Sequence, residues 1–404
     1  MVPSGTIFDA YGRYVTSGQY NNNPSTGLNW EYLPNVDLLP RITTGMSYGL
    51  EAGFLNGKFS TILESYYNQI DNEIFNIEIA DHNGFQKYKT NYFSQVNYGY
   101  EFTFTYRPIN TEKVRWNISA NGGFNNNILT RLPNDTRQLI DEDPNAVDGI
   151  NQNILKRLGR NANSNVLYHY RGVFPDDASV PVDPSTGFPY YTLDASGNKV
   201  FFKGGDPYWT DLDGNYILDE RDMVVAGNSF PKFTGGFQSM VTYAAFTLSF
   251  NVSITAGRDI LNNSLAQRLA SYNNPLASQN DAALVPVGDY DFWQGPGDAD
   301  ATYPNPYDFT RSEAIKPFRF NQTLFQEDGS YVKLNTVTLG YNVPKEKTLR
   351  YGINYSRIYF TANNVYTFSQ YSGPNPENVT DLGRDRSDGY PIRRSFTLGL
   401  NVQF

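Results

Sequence analysis

Apolar and polar residues alternate without a break along the last stretch of this chain. Phe396, Leu398, Leu400, Val402 and Phe404 fall on one side, and Ser395, Thr397, Gly399, Asn401 and Gln403 on the other. Successive side chains of a strand point to opposite faces, so the segment predicts a strand with one greasy face and one small polar face. The pattern recurs. Met46, Tyr48, Leu50, Ala52 and Phe54 lead into Asn56-Gly57, a hairpin signal, and Phe59, Thr61, Leu63 and Tyr67 return on one face. Tyr98 to Tyr106, Val114 to Phe124, Phe233 to Tyr243 and Phe246 to Ile254 follow, then Tyr331 to Tyr341 and Arg357 to Tyr366. With the terminal segment this makes nine strands, and a tenth is expected from Thr6 to Val15.

The connections between these strands alternate in length. Short ones are expected at 56–57, 107–113 and 244–245, with a moderate one at 342–355, and long ones at 71–96, 126–231, 257–330 and 367–393. In an up-and-down barrel every second connection leaves on the same side, giving one tidy rim and one heavily looped rim. A soluble sandwich has no reason to keep that order. The expectation is therefore an all-β, antiparallel transmembrane β-barrel of about ten strands with long extracellular loops. Its apolar rows would face lipid. The rows of Gly, Ser, Thr and Asn, with Glu51, Glu101, Arg107 and Arg115, would face an aqueous or plugged interior.

Composition agrees. Hydrophobic residues make up 39% of the 404 residues, the mean hydropathy is -0.51, and no run is apolar and long enough for a spanning helix. An alternating barrel has this soluble-looking average. The 31 Tyr and 27 Phe suit interfacial girdles and sugar-stacking surfaces. There is no cysteine, which removes disulfides and thiol chemistry, and a net charge of -9 without a basic block argues against nucleic acid as a partner. Met1 to Thr6 lacks the basic and apolar regions of a signal peptide.

Three motifs bear on chemistry. Gly45-Met46-Ser47-Tyr48-Gly49 has the form of a nucleophile elbow but lies inside an alternating strand, with only His82 and His169 to act as base, so no enzyme is expected. Asp211, Asp213, Asn215, the Ile217 carbonyl, Asp219 and Asp222 occupy the ligand positions of a calcium loop. Tyr216 stands where that loop takes glycine, and Asp222 is shorter than the usual glutamate. The alternative is a polar turn held by its own side chains. Asp206, Asp211 and Asp213 could also be read as a glycosidase carboxylate pair, with a solvated or ion-binding loop the better reading. Tyr208, Trp209, Phe292, Trp293 and Tyr307 are the candidate ligand-stacking aromatics of the long loops, although loop aromatics more often pin their own loop.

Several stretches together resemble the SusC/RagA-like TonB-dependent outer-membrane transporters of Bacteroidetes. Gly49 to Phe59 with Tyr66 to Asn68 is similar to one of their hairpins, and Val96 to Phe102 to the next strand. Gly205 to Asp222, Gly227-Asn228, Pro231 to Gly236, Asp328 to Leu334 and Thr338 to Tyr341 follow in the family's order. So do Ala362 to Phe368, Tyr371 to Gly373, Tyr390-Pro391 and Ser395 to Phe404. The resemblance covers most of 28–404 and supports the calcium-type loop, except at Tyr216, where the family usually has glycine. It implies a larger barrel of about 22 strands closed around a plug. It also implies import of oligosaccharides or peptides, a SusD-like surface lipoprotein as partner, and energy from TonB.

On that resemblance the whole chain, 1–404, is expected to be the C-terminal portion of such a barrel, with the plug and TonB box outside it and large loops at 126–231 and 257–330. Phe396, Leu398, Leu400, Val402 and Phe404 are expected to act as the assembly signal read by the barrel-assembly machinery of a Gram-negative outer membrane. Two other classes stay open at this point: a self-contained porin-like barrel passing small solutes, and a soluble glycan-binding β module.

Overall fold

In the computed structural model the described residues are 11–12, 14–142, 153–161, 164–194, 196–273, 287–380, 382–385 and 392–404. Nine long strands carry the architecture. They are β1 (Ile42–Phe54), β2 (Phe59–Glu78), β3 (Lys87–Asn110), β4 (Val114–Arg131), β5 (Phe233–Tyr243), β6 (Phe246–Ala256), β7 (Tyr331–Asn342), β8 (Tyr355–Ser369) and β9 (Ser395–Gln403). All nine answer to the strands expected from alternation. Among the described residues no helix is long and apolar enough to cross a membrane.

The chain divides into two compact units. One comprises Met1–Thr105, Asn121–Asp141 and Leu155–Ala162, and the other Tyr106–Ala120, Glu142–Ile154 and Asn163–Phe404. β3 and β4 each contribute to both. In the first unit the sheet order is β1-β2-β3-β4, and in the second it is β4-β5-β6-β7-β8-β9. Neighbours in space are thus neighbours in sequence, the up-and-down order that alternating connections require.

The register lines the apolar rows up. In the first unit Met46, Leu50 and Phe54 stand opposite Tyr67, Leu63 and Phe59, and the Phe59 and Phe104 rings stack at 6.1 Å. In the second unit Leu248 pairs with Leu339, Leu339 with Phe360, and Phe360 with Leu398. One step along, Phe246, Tyr341, Ile358 and Leu400 do the same. The other face carries the row Ser249, Thr338, Thr361 and Thr397. There the Thr338 and Thr361 hydroxyls are 3.0 Å apart, and Asn363 donates to Ser395 Oγ at 3.2 Å. A serine that falls among the apolar residues, Ser239, is satisfied by the Trp116 indole N–H at 3.1 Å.

Three expectations need correction. The connection placed at 71–96 shrinks to 79–86, because β2 and β3 run on past the alternating pattern. Asn72 takes a left-handed φ of 56°, and a single such residue shifts the phase of alternation while the strand continues. The hairpin at Asn56-Gly57 is a four-residue turn, 55–58, in which Leu55, Asn56 and Gly57 all have positive φ. The tenth strand lies at Tyr14–Tyr20 and pairs with Asn23–Leu28 as a separate two-stranded sheet. Thr6 to Ala10 and Arg13 lie outside the described residues, as does the Tyr390-Pro391 pair of the resemblance.

A tenth member of the large sheet was not foreseen. Tyr32–Leu33 lies parallel to Lys87–Tyr88 of β3. The following segment is fixed by Asn91, whose amide accepts from the Leu39 N–H at 2.6 Å and donates to the Leu39 carbonyl at 2.8 Å. A side-chain amide takes the place of a peptide there.

Candidate functional site

Two surfaces of the second unit are candidates: the two faces of the sheet, and the loops at the rim where 257–330 and 370–394 emerge. The apolar face is uncovered. Leu398, at 77% exposure, and its row neighbours Leu339, Phe360, Leu248, Phe246, Ile358 and Leu400 are all exposed. Exposed apolar area on this scale marks a membrane or interaction surface. Strands of nine to fifteen residues here meet the roughly 9–11 residues that a tilted membrane strand needs. The expected assembly-signal residues Phe396, Leu398, Leu400, Val402 and Phe404 all lie in or directly after β9 and are exposed.

The loops build two cores of their own. One gathers Tyr168, Phe174, Tyr190, Phe202, Trp209, Leu218 and Ile315. The other gathers Leu265, Leu269, Phe292, Phe318 and Phe325 around the helix α1 (Asn263–Asn273). These cores overturn two of the candidate stacking residues. Trp209 is 0% and Phe292 1% exposed, so neither has a face to offer a ligand. The Trp209 N–H is consumed by Gln322 Oε1 at 2.8 Å. Tyr208 is half-buried on Phe174, ring centroids 4.7 Å apart, and its hydroxyl accepts from Arg171 at 3.1 Å. Trp293 donates to the Pro175 carbonyl at 3.0 Å and lies across Gly205. Tyr307 alone of the five is well exposed, at 54%.

An exposed aromatic group was missed. Phe188 and Phe201 meet at 5.9 Å, Tyr191 meets Phe201 at 5.8 Å, and the Lys199 ammonium sits 4.0 Å over Phe188. The signal was present: Tyr191–Leu193 and Lys199–Phe201 form a hairpin whose first and last rings are directly paired.

The acidic loop brings three of the six expected ligand residues together. Oxygens of Asp211, Asp213 and Asp222 lie within 4.8 Å of one another. Asp211 accepts from the Gly214 and Tyr216 N–H groups at 2.8 and 2.9 Å. Tyr216 takes φ 60°, the left-handed turn for which glycine was expected. Two predicted ligands do other work. Asp219 is not among the converging carboxylates; it caps the turn 220–222, accepting from Arg221 N–H at 2.7 Å. Asn215 Oδ1 accepts from Ile217 N–H at 2.7 Å, and Ile217 pairs in parallel with Tyr191. Asp222 is fully buried; burial pushes its carboxyl up, and Asp211 and Asp213 push it further, against the hydrogen bonds it accepts from the Asp219 and Leu212 N–H groups. Asp206, the third carboxylate of the glycosidase reading, is held in the fork of Arg311 and is not free to act.

A sheet with an uncovered apolar face, a polar opposite face and meander order is the wall of a membrane β-barrel, and its fold is that of the TonB-dependent transporters. The chain superposes on the RagAB peptide importer in its 'closed-closed' state with a TM-score of 0.69 at 18% identity, covering 98% of this chain and 39% of that one. It is 26% identical over 387 residues to TonB-dependent receptor P3 of Formosa agariphila, covering 93% of this chain and 34% of the relative. It is 25% identical over 382 residues to TonB-dependent receptor SusC of Bacteroides thetaiotaomicron, covering 92% of this chain and 32% of the relative. No family model matches. The chain is a homologue of the TonB-dependent receptors, SusC among them, and spans about a third of the length of these curated relatives. Those relatives carry the names of receptors and importers, not of enzymes.

Proposed function

We propose that this chain supplies wall strands and rim loops of an outer-membrane importer driven by TonB. The carrying observation is the uncovered apolar row across β6 to β9, Leu248, Leu339, Phe360 and Leu398, backed by a row of hydroxyls. Lipid takes the first face and the import path the second. The superposing peptide importer favours peptides as cargo; oligosaccharides as the other cargo and a SusD-like surface lipoprotein as partner rest on the sequence resemblance. Exposed Phe188, Phe201 and Tyr307, with half-buried Tyr191 beside them, are the rings that offer a face to either cargo.

The test is uptake of labelled oligosaccharide or peptide by cells carrying the full-length protein. Uptake is expected to fall on deletion of the gene and on loss of TonB. Uptake that survives loss of TonB would support the porin-like reading instead. Leu339→Arg is expected to lower the amount of folded protein in the outer membrane, since a charge on the lipid face costs up to about 4 kcal/mol at mid-membrane. Unchanged amounts would argue against the lipid assignment of that face.

We further propose that Asp211, Asp213 and Asp222 hold Ca²⁺, a hard cation that three converging carboxylates suit. The raised carboxyl of Asp222 sets the sign of the pH dependence. Its folded-state value lies above the unfolded one, so its contribution favours folding at acid pH and is lost as pH rises through the folded value. Calcium offsets that loss. The thermal shift between calcium and chelator is therefore expected to be larger at pH 7 than at pH 4, and to vanish in Asp213→Asn. A shift independent of pH would argue against Asp222 as a ligand.

A further inference from the structure

The loop that follows β8 is fastened in two different ways. Its later part is joined by backbone. Leu261 N–H donates to the Gly383 carbonyl at 2.8 Å and Asp385 N–H to the Leu261 carbonyl at 3.0 Å, so this part lies as an added strand beside the pair Asp259–Leu261 and Gln326–Asp328. Asp385 is buried and accepts from Ser264 Oγ at 2.5 Å and from the Tyr371 hydroxyl at 2.7 Å.

Its earlier part, 372–377, is joined by side chains. Ser372 donates its N–H and its hydroxyl to Glu327, each at 2.7 Å. Arg258 donates to the Pro376 carbonyl. Lys333 donates to Glu377 Oε2 at 2.5 Å. Among the described residues, backbone-to-backbone bonds of 372–377 stay local, as from Asn378 N–H to the Asn375 carbonyl.

Lys333 gives this segment its place. It belongs to the polar face of the sheet, opposite Ser253 on β6 and Thr367 on β8, and is only 6% exposed because Glu377 lies over it. A buried ion pair gains Coulomb energy and loses hydration in nearly equal measure, so its net hold is weak. A backbone ladder with buried anchors gives way only when the local structure unfolds.

We propose that 372–377 is a releasable latch over the polar face of the wall, hinged between the buried Tyr371 and the fixed 383–385 strand, with Lys333–Glu377 as its catch. Release swings the segment off the face and bares the Lys333 ammonium toward the path. This rests on the import reading for what passes there, while the latch itself is a property of the fold. Its test reads amide exchange, not transport, so the two readings fail separately.

The experiment is hydrogen–deuterium exchange on the full-length protein and on the double variant Lys333→Met with Glu377→Gln, which removes both charges and leaves neither buried alone. Exchange in 372–378 is expected to rise roughly tenfold, while 259–261 and 383–385 stay within about twofold. No rise in 372–378 overturns the latch. An equal rise in both regions overturns the hinge. Should the double variant fail to fold, the unmodified protein still decides: 372–378 is expected to exchange at least about tenfold faster than 383–385. Equal rates there overturn the proposal.

Discussion

Gly99→Ala is expected to damage this protein more than any other small substitution in the wall. A Cβ at position 99 would lie 2.4 Å from the Phe124 carbonyl oxygen and 2.6 Å from the Tyr66 hydroxyl. The tyrosine can move, but the carbonyl belongs to the neighbouring strand and cannot. Overpacking of this kind costs typically about 1–3 kcal/mol, and more where backbone must shift. Thermal unfolding in detergent should show the loss, and adding Tyr66→Ser should not recover it. Gly399→Ala is the contrasting case. The three atoms nearest its Cβ all belong to the Tyr359 side chain, with Cζ at 2.2 Å, so Tyr359→Ser is expected to restore most of the stability. Recovery of the Gly99 variant by Tyr66→Ser would show that the ring, not the strand spacing, sets that limit.

Trp209→Ala is expected to unfold the rim loops while leaving the wall in place. The indole is fully buried among Tyr168, Phe202 and their neighbours. Deleting such a side chain costs about 3–5 kcal/mol. The change also strips Gln322 Oε1 of its donor; leaving a buried acceptor unpaired costs about 1–3 kcal/mol more. Limited proteolysis should then cut within 164–230, with the strand content measured by circular dichroism nearly unchanged. Trp209→Phe, which keeps one aromatic ring and loses the N–H with the rest of the indole, should be the milder change. Loss of the strands along with the loops would mean that the wall depends on that core.

The wall was legible in the sequence because one face is greasy and the other is not. Met46 to Phe54 or Phe246 to Ile254 admits only one assignment of faces, since a slip of one residue would turn every apolar side chain to the wrong side. Legibility failed where that constraint lapses. Past Asp71, β2 no longer pairs with β1, and the left-handed Asn72 resets the phase, so the strand continues without a readable pattern. The loops failed for another reason. Whether Trp209 or Tyr307 faces water depends on what folds over it, and nothing local in the chain records that. The acidic loop was half legible. Its spacing brought Asp211, Asp213 and Asp222 together, but Asp219 went to a helix-turn cap, an alternative role that the same residue type serves equally well.

The ladder between β6 and β7 does not stop at the rim. Asp259–Leu261 pairs with Gln326–Asp328, and Gly329 N–H donates to the Arg258 carbonyl at 2.9 Å on the way, so only 262–325 remains to be closed as a loop. Growing a connection from the size of 244–245 to that size takes about five doublings in length, or about 3 kcal/mol of chain entropy. Burying rings such as Phe292, Phe318 and Phe325 offsets it, at roughly 1.5–3 kcal/mol each. The closure cost that a loop of this size lays on the strands that carry it is small. The loop between β6 and β7 can therefore change in length and content while the strands that carry it keep their register.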